Sequence, residues 1–323
     1  MGPIAESDTV SPLRELETHA FALAERIPSL LVAARRVSHT VAHGIHGRRR
    51  RGPGDTFWQF RHFENGDAAE TIDWRRSASS DHLYVREREW EAAHTAWMWV
   101  DMSLSMAFRS HLSRTSKIDR AIVLALATGD LLVRGGERIG FIGGRARVGR
   151  LAVTQLALSI ARRADDPALE RDNLPPAAAL GEFSECLLFS DFLEPLDVLV
   201  PRLEQLAMQG VRGHLVQILD PAEESLPYRG RTEFTGAEDG ERIIAGRAES
   251  LRERYHERLA LHLRQLNDAL RRLEWSLPVH HTDRPAEEAL LALHARLAGL
   301  EHDYRYRPSA EALDTDVEVE TTP

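Results

Sequence analysis

The sequence predicts an α/β fold in which a doubly wound, mostly parallel sheet carries helices on both faces. From about residue 92, apolar strand-like runs alternate with amphipathic helical segments, which is typical of βαβ units. Runs such as "AWMWVD" and "ECLLFSD" show no polar alternation, as expected of strands that are buried on both faces. With 323 residues, of which 43% are apolar and 28% charged, the chain is long enough to bury a sizeable core.

The N-terminal segment, residues 1–91, is predicted to be helical and irregular. Residues 13–37 have helical spacing that Pro28 interrupts, which gives either one kinked helix or two short helices. Residues 43–67 are rich in glycine, arginine and aromatic side chains and indicate irregular backbone with one short strand. We therefore take residues 1–91 as a segment that precedes the main domain.

The main domain is predicted to span residues 92–308. Its strands are short continuous apolar runs, whereas its helices repeat their apolar residues with the helical period. The predicted order is strand "AWMWVD", helix "SKIDRAIVLALATGDLLVRG" ended by Gly135, strands "ERIGFIGG" and "ARVGRLA", helix "VTQLALSIARRA", strand "ECLLFSD", helix "LDVLVPRLEQLAMQG" and strand "GHLVQILD".

A small hairpin insertion is predicted near residues 228–246. It is followed by a long charged amphipathic helix, "RAESLRERYHERLALHLRQLNDALRRL", then by a strand, "WSLPVHHTD", and by a final helix, "PAEEALLALHARLAG". Residues 309–323 contain five acids and no base, so we expect a disordered acidic tail.

Composition excludes several classes of protein. The formal net charge of -9 argues against a nucleic-acid duplex as main partner, because neutralising phosphates requires a basic face. Lys117 is the only lysine, a bias that we attribute to codon usage.

Cys186 is the single cysteine and lies in an apolar run, so no disulfide or zinc cluster follows from it. Since no apolar run reaches about 18 residues and no secretory signal is present, we expect a cytoplasmic protein.

A group of oxygen donors follows the first strand of the main domain. Asp101, Ser103 and Ser105 lie at alternate positions directly after "AWMWV", and Asp191 ends the later strand "LLFS". Ligands of open α/β sheets gather at the carboxyl ends of strands, and carboxylates with hydroxyls are hard donors suited to magnesium, manganese or calcium. The competing interpretation is that these residues only cap helices and satisfy turn amides.

These residues also carry a family resemblance. "VDMSLS" followed by "LFSDF" resembles the metal-ion-dependent adhesion site of von Willebrand factor type A domains. Upstream, "FRHFENGDAAETIDWRRSASSDHLYVREREWE" resembles the signature of the bacterial domain of unknown function 58 family, whose members contain that fold. The signature residues stand in the family's order and spacing; they are Gly66, Asp67, Ile72, Asp73 and Trp74.

The resemblance implies an interaction module rather than an enzyme. Such a module binds a partner through a divalent cation, magnesium or manganese with calcium as an alternative, and family members are associated with MoxR-type AAA+ ATPases in chaperone or assembly roles. Ser103 and Ser105 would be direct ligands, Asp101 a direct or water-mediated one, and Asp191 would act through water. Residues 160–183 lack the hydroxyl that such sites usually take from a loop, and Asp172 is the candidate substitute.

Two other functions stay open at this point. One is a metal-independent scaffold of the same fold. The other is a single-stranded nucleic-acid binder that uses Arg48–Arg51 and nearby aromatic residues, although a solvated loop beside aromatic residues that pack on the sheet explains that run better. The signature segment has two interpretations of its own: either Trp74 and Phe60 seal an edge of the sheet, or the segment forms a docking face. No common hydrolase motif occurs, so we expect no catalysis.

Overall fold

The structure is a computed structural model. It describes residues 26–42, 59–63, 72, 74–78, 82–87, 94–164, 173–238 and 240–297, and the fold and site below concern these ranges.

The secondary structure alternates between strands and helices over most of the described chain. The strands are β1 (Gln59–His62), β2 (Tyr84–Glu87), β3 (Thr95–Val100), β4 (Arg138–Phe141), β5 (Glu185–Ser190), β6 (Arg212–Leu219), β7 (Thr232–Thr235), β8 (Arg242–Ala245) and β9 (Val279–His281). The helices are α1 (26–42), α2 (Trp74–Ser77), α3 (Lys117–Arg134), α4 (Leu151–Ala164), α5 (Leu196–Ala207), α6 (Pro221–Ser225), α7 (Arg252–Arg272) and α8 (Ala286–Leu297).

The central sheet has five strands in the order β4-β3-β5-β6-β9, and every pair in it is parallel. Helices flank this sheet, so the predicted α/β class is confirmed, and the arrangement is consistent with a von Willebrand factor type A-like fold. Strands β1 with β2 and β7 with β8 form two separate antiparallel pairs, and the second pair lies where the hairpin insertion was predicted. The register sets Val100 beside Phe189 and Ser190 beside Gln217, which aligns the carboxyl ends of β3, β5 and β6.

Helix α3 is the central helix of the core. Its residues from Lys117 to Gly129 are buried with the exception of Arg120, because the sheet, α4, α8 and α1 all pack around it. Helix α1 is attached through Ser38, whose hydroxyl donates to the Asp130 carboxylate at 2.5 Å, and through an ion pair between Arg26 and Asp119. A helix covered on nearly all sides is expected to be apolar all round, and α3 is continuously apolar and buried from Ala121 to Ala127.

One sequence-based prediction was wrong in detail. The strand expected at "ARVGRLA" is reduced to one antiparallel bridge between Arg147 and Ile139. Gly149 takes a left-handed conformation with φ of 76°, which ends the extended backbone before α4 begins at Leu151. In the N-terminal segment, residues 26–42 form a helix that contains Pro28, while residues 13–25 lie outside the described residues, so the choice between one kinked helix and two short helices stays open. The predicted domain boundaries stay predictions, and the acidic tail lies outside the described residues.

Across the described ranges, no helix is both long enough and apolar enough to cross a membrane.

Gly213 in β6 offers a test of the packing. A Cβ atom built on this residue would lie 1.9 Å from the buried Trp275 ring, whose indole N–H donates to the Val211 carbonyl at 3.3 Å. Gly213→Ala should therefore lower the free energy of unfolding by about 1–3 kcal/mol, the usual cost of overpacking. Urea denaturation measures this change. Gly181→Ala is the control, since no atom lies within 4 Å of its added Cβ, and equal stability of the two variants would contradict the packing assigned to Trp275.

Candidate functional site

Three adjacent strands of the central sheet are each followed directly by an aspartate. Asp101 follows β3, Asp191 follows β5 and Asp220 follows β6. All three side chains are buried. Because parallel strands bring their carboxyl ends to the same edge, these acids gather at one place, which we call the rim.

Asp101 is held by hydrogen bonds to both of its carboxylate oxygens. Its Oδ1 accepts the backbone N–H of Ser103 at 2.8 Å, and its Oδ2 accepts the hydroxyl of Ser190 at 2.6 Å. Ser190 in turn accepts the backbone N–H of Phe192 at 3.1 Å. Asp101 is therefore a fixed group that ties the turn after β3 to the end of β5.

The predicted oxygen donors converge. The hydroxyls of Ser103 and Ser105 lie 3.0 Å apart, and Ser105 donates to Asp191 Oδ2 at 3.3 Å. The structure therefore brings together Asp101, both serines and Asp191, which come from segments about ninety residues apart in the chain.

A fifth group, Lys117, occupies the centre of the rim. Its ammonium donates to Asp191 Oδ2 at 2.7 Å and to Glu223 Oε1 at 2.5 Å, and the side chain is only 1% exposed. Lys117 is the first residue of α3, where the helix dipole disfavours a positive charge. The two carboxylates offset that cost and the cost of burying the ammonium.

Glu223 is fixed by the short helix α6. Its Oε2 accepts the backbone N–H of Asp220, while the Asp220 carboxylate accepts the N–H of Ala222 at 2.9 Å, which together form a capping box. Asp220 also accepts the N–H of Ser110 at 2.9 Å, and Tyr255 of α7 donates to the Glu223 carbonyl at 2.5 Å. The acids after β6 are therefore anchored to the loop after β3 and to α7.

Burial dominates the electrostatics of the rim. It raises the pKa of Asp101 to about 7, and the neighbouring Asp191 charge adds to this rise, although the bonds from Ser190 and Ser103 oppose it. Burial also raises the pKa of Glu223, while Lys117 opposes that rise. For Lys117 itself, burial lowers the pKa, but the charges of Asp191 and Glu223 outweigh it and the net direction is upward. The ammonium is therefore charged at neutral pH.

The donor set suits a hard divalent cation in part. Adjacent oxygen ligands of an octahedral magnesium ion lie about 3 Å apart, which matches the observed separation of the two serine hydroxyls. Among the described residues there is no cluster of three or more His, Cys, Asp or Glu side chains arranged to hold a metal ion. The hydroxyls would thus supply direct ligands, whereas Asp191 already has Lys117 as its ion-pair partner.

Several residues singled out from the sequence lie outside the described residues. They are Gly66, Asp67 and Asp73 of the signature segment, Asp172 as the substitute ligand, and Arg48–Arg51 as the basic run. Trp74 is described: it begins α2 and is 64% exposed. The Phe60 side chain and most of the signature segment lie outside the described residues, so both interpretations of that segment stay predictions.

Sequence analysis missed the roles of Lys117 and Glu223. Lys117 is the only lysine among the 41 lysine and arginine residues of the chain, and this exception was the signal in the sequence. The structure shows that this one lysine is buried at the rim. Glu223 had a weaker signal, as the third residue after Asp220 in a capping pattern that follows an apolar strand.

Comparison with known proteins gives a family without a known activity. The family model described as "Protein of unknown function DUF58" matches residues 59–265. Uncharacterized proteins of Mycobacterium bovis and Mycobacterium tuberculosis are each 28% identical over 231 residues, which cover 68% of this chain and 72% of the relative.

Two solved structures are similar at a low level. One is the crystal structure of an aerotolerance-related membrane protein from Bacteroides fragilis, with 14% identity and a TM-score of 0.35. The other is the conserved hypothetical protein BatB from Bacteroides thetaiotaomicron, with 13% identity and a TM-score of 0.31. Each match covers 64% of this chain and all of the other chain, and neither similarity is strong enough to support an argument about this protein.

The raised pKa of Asp101 predicts a pH dependence of stability. The pKa rises from 3.8 to about 7 on folding, so the stabilising contribution is fully present below the lower value and is lost as the pH rises through the upper one. In the presence of chelator, the free energy of unfolding of the wild type should fall by about 1.4 kcal/mol for each pH unit between these limits, relative to that of Asp101→Asn. Urea unfolding across this pH range measures the difference.

The matched control for this measurement is Asp268→Asn, which removes a largely exposed carboxylate of α7. This variant should keep the wild-type pH dependence. If Asp101→Asn has the same pH dependence as the wild type, Asp101 does not titrate in this range.

Proposed function

This chain belongs to the DUF58 family of proteins of unknown function, and from its rim we propose that it is a non-enzymatic protein-interaction module. In this proposal a divalent cation, magnesium or manganese with calcium as an alternative, binds at the rim and leaves one position for an acidic group of the partner. Ser103 and Ser105 would be direct ligands, and Asp101 and Asp191 would supply the negative charge.

The convergence of the oxygen donors is the observation that carries the proposal. Two hydroxyls at ligand spacing and a carboxylate within 3.3 Å of one of them meet at the carboxyl ends of β3 and β5. Turn capping explains the bond from Ser103 to Asp101, but it does not require Ser105 to face Asp191 across the rim. When bound, a divalent ion would supply a positive centre for a carboxylate of the partner.

One observation favours a second function, a metal-independent scaffold of the same fold. Lys117 already forms ion pairs with Asp191 and Glu223 at contact distance. With this internal cation the negative charge of the rim is compensated in part without a metal ion, and the same surface would then serve as a fixed docking platform.

The partner we propose is a MoxR-type AAA+ ATPase, in a chaperone or assembly role in the cytoplasm. This part rests on the family resemblance alone, which is an analogy and not a property of the site.

Cation binding should stabilise the folded protein. A ligand that binds only the folded state adds about 2.7 kcal/mol when its free concentration is about 100 times its dissociation constant. Thermal unfolding with magnesium or manganese should therefore give a higher Tm than unfolding with chelator. The Ser103→Ala/Ser105→Ala variant should lose this shift, because it lacks both direct ligands. Ser225→Ala removes an exposed hydroxyl of α6 and is the control.

An unchanged Tm of the wild type at millimolar cation would refute the cation proposal and leave the scaffold. A shift of equal size in the double-serine variant would place the ion elsewhere in the chain.

The partner proposal predicts a cation-dependent capture. Tagged protein should recover an AAA+ ATPase from a lysate of its own host in magnesium, and the yield should fall in chelator, as measured by quantitative mass spectrometry. The Ser103→Ala/Ser105→Ala bait should recover little of it in either buffer. Equal recovery by both baits in both buffers would contradict recognition through the cation.

A further inference from the structure

We infer that Lys117 is a built-in cation of the rim, which holds Asp191 in the metal-free protein and sets the affinity for an incoming divalent ion. The inference rests on the proposed function, because it concerns how the same site is controlled. It assigns to Lys117 the role of a competitor: the ammonium and the metal ion cannot both use the Asp191 carboxylate.

The chemistry of this position requires lysine. All other basic residues of the chain are arginine, 40 of the 41, yet this buried position carries the single lysine. An ammonium is a compact point charge that donates to two separate carboxylates, whereas a guanidinium is a wide planar fork suited to one bidentate partner. The site provides two acceptors from different elements, Asp191 after β5 and Glu223 in α6, at 2.7 and 2.5 Å.

The ammonium and the proposed ion would use the same carboxylate oxygen, Asp191 Oδ2. Asp191 Oδ2 accepts both from Lys117 and from the hydroxyl of Ser105, which is one of the proposed ligands. An ion at the hydroxyls would therefore lie within a few ångströms of the ammonium, and at that distance their repulsion in a protein interior is strong. Binding of the ion requires Lys117 to release Asp191.

Glu223 makes this release feasible. It is the second acceptor of the ammonium and is fixed by the capping box and by Tyr255, so Lys117 retains one charged partner when Asp191 is taken. The centroid of the Phe108 ring also lies 5.9 Å from the ammonium and adds a weak attraction. The exchange thus moves one carboxylate from the lysine to the ion without leaving a bare buried charge.

The test is to titrate manganese and magnesium into purified variants by calorimetry. Lys117→Met should bind manganese at least about tenfold more tightly than wild type, because Asp191 no longer has an internal partner. Arg134→Met is the matched control: it makes the same charge change at the other end of α3, where the side chain is half exposed. That control should bind as the wild type does.

A second variant separates release of Asp191 from a general change of charge. Lys117→Met/Glu223→Gln has the net charge of the wild type, and it avoids the unpaired acid that Lys117→Met leaves at α6. If the inference holds, this double variant also binds manganese more tightly than wild type. Circular dichroism before titration establishes that each variant is folded.

The outcomes distinguish the inference from the proposed function. Tighter binding by both variants supports the inference. Cation binding by wild type with unchanged affinity in the charge-neutral double variant overturns the inference and leaves the proposed function standing. Absence of binding in wild type and in both folded variants overturns the two together.

Discussion

The ion pair of Lys117 with Asp191 and Glu223 is the interaction on which the rim depends. Adjacent parallel strands end in acids, and the fold buries these acids where carboxylates repel one another and lack water. One ammonium pairs directly with Asp191 at the end of β5 and with Glu223 of α6. Asp101 has no ion-pair partner among the described residues; it accepts hydrogen bonds from the Ser190 hydroxyl and from the backbone N–H of Ser103, and burial raises its pKa to about 7. The rim is thus a group of buried acids whose charges are only partly compensated, and not an ordinary polar turn.

The core places the ammonium there. Helix α3 is enclosed by the sheet, by α4, by α8 and by α1, so its position leaves little freedom. Ser116 caps its first turn by accepting the N–H of Asp119, which fixes Lys117 as the first helical residue. The hydrophobic packing of α3 therefore determines where the ammonium of Lys117 lies.

This arrangement unites the two functions considered for the site. Lys117 satisfies Asp191 with an ion pair at 2.7 Å, which is the basis of the proposed metal-independent docking platform. The hydroxyls of Ser103 and Ser105 lie beside the same carboxylate and fit a hard cation. In our proposal, the competition for Asp191 determines whether the surface acts with or without a metal ion.

The sequence by itself determined the α/β class, the parallel strands with their helices and the placement of Asp101, Ser103, Ser105 and Asp191 at one edge, because buried strands and amphipathic helices have distinct periodicities. It did not reveal that "ARVGRLA" makes one bridge only, since the conformation of Gly149 depends on the turn around it. It listed the single lysine, but only the tertiary structure decided its meaning. Contacts between Lys117, Asp191 and Glu223 join residues 74 and 106 positions apart, and no local pattern encodes which distant charges a buried side chain will meet.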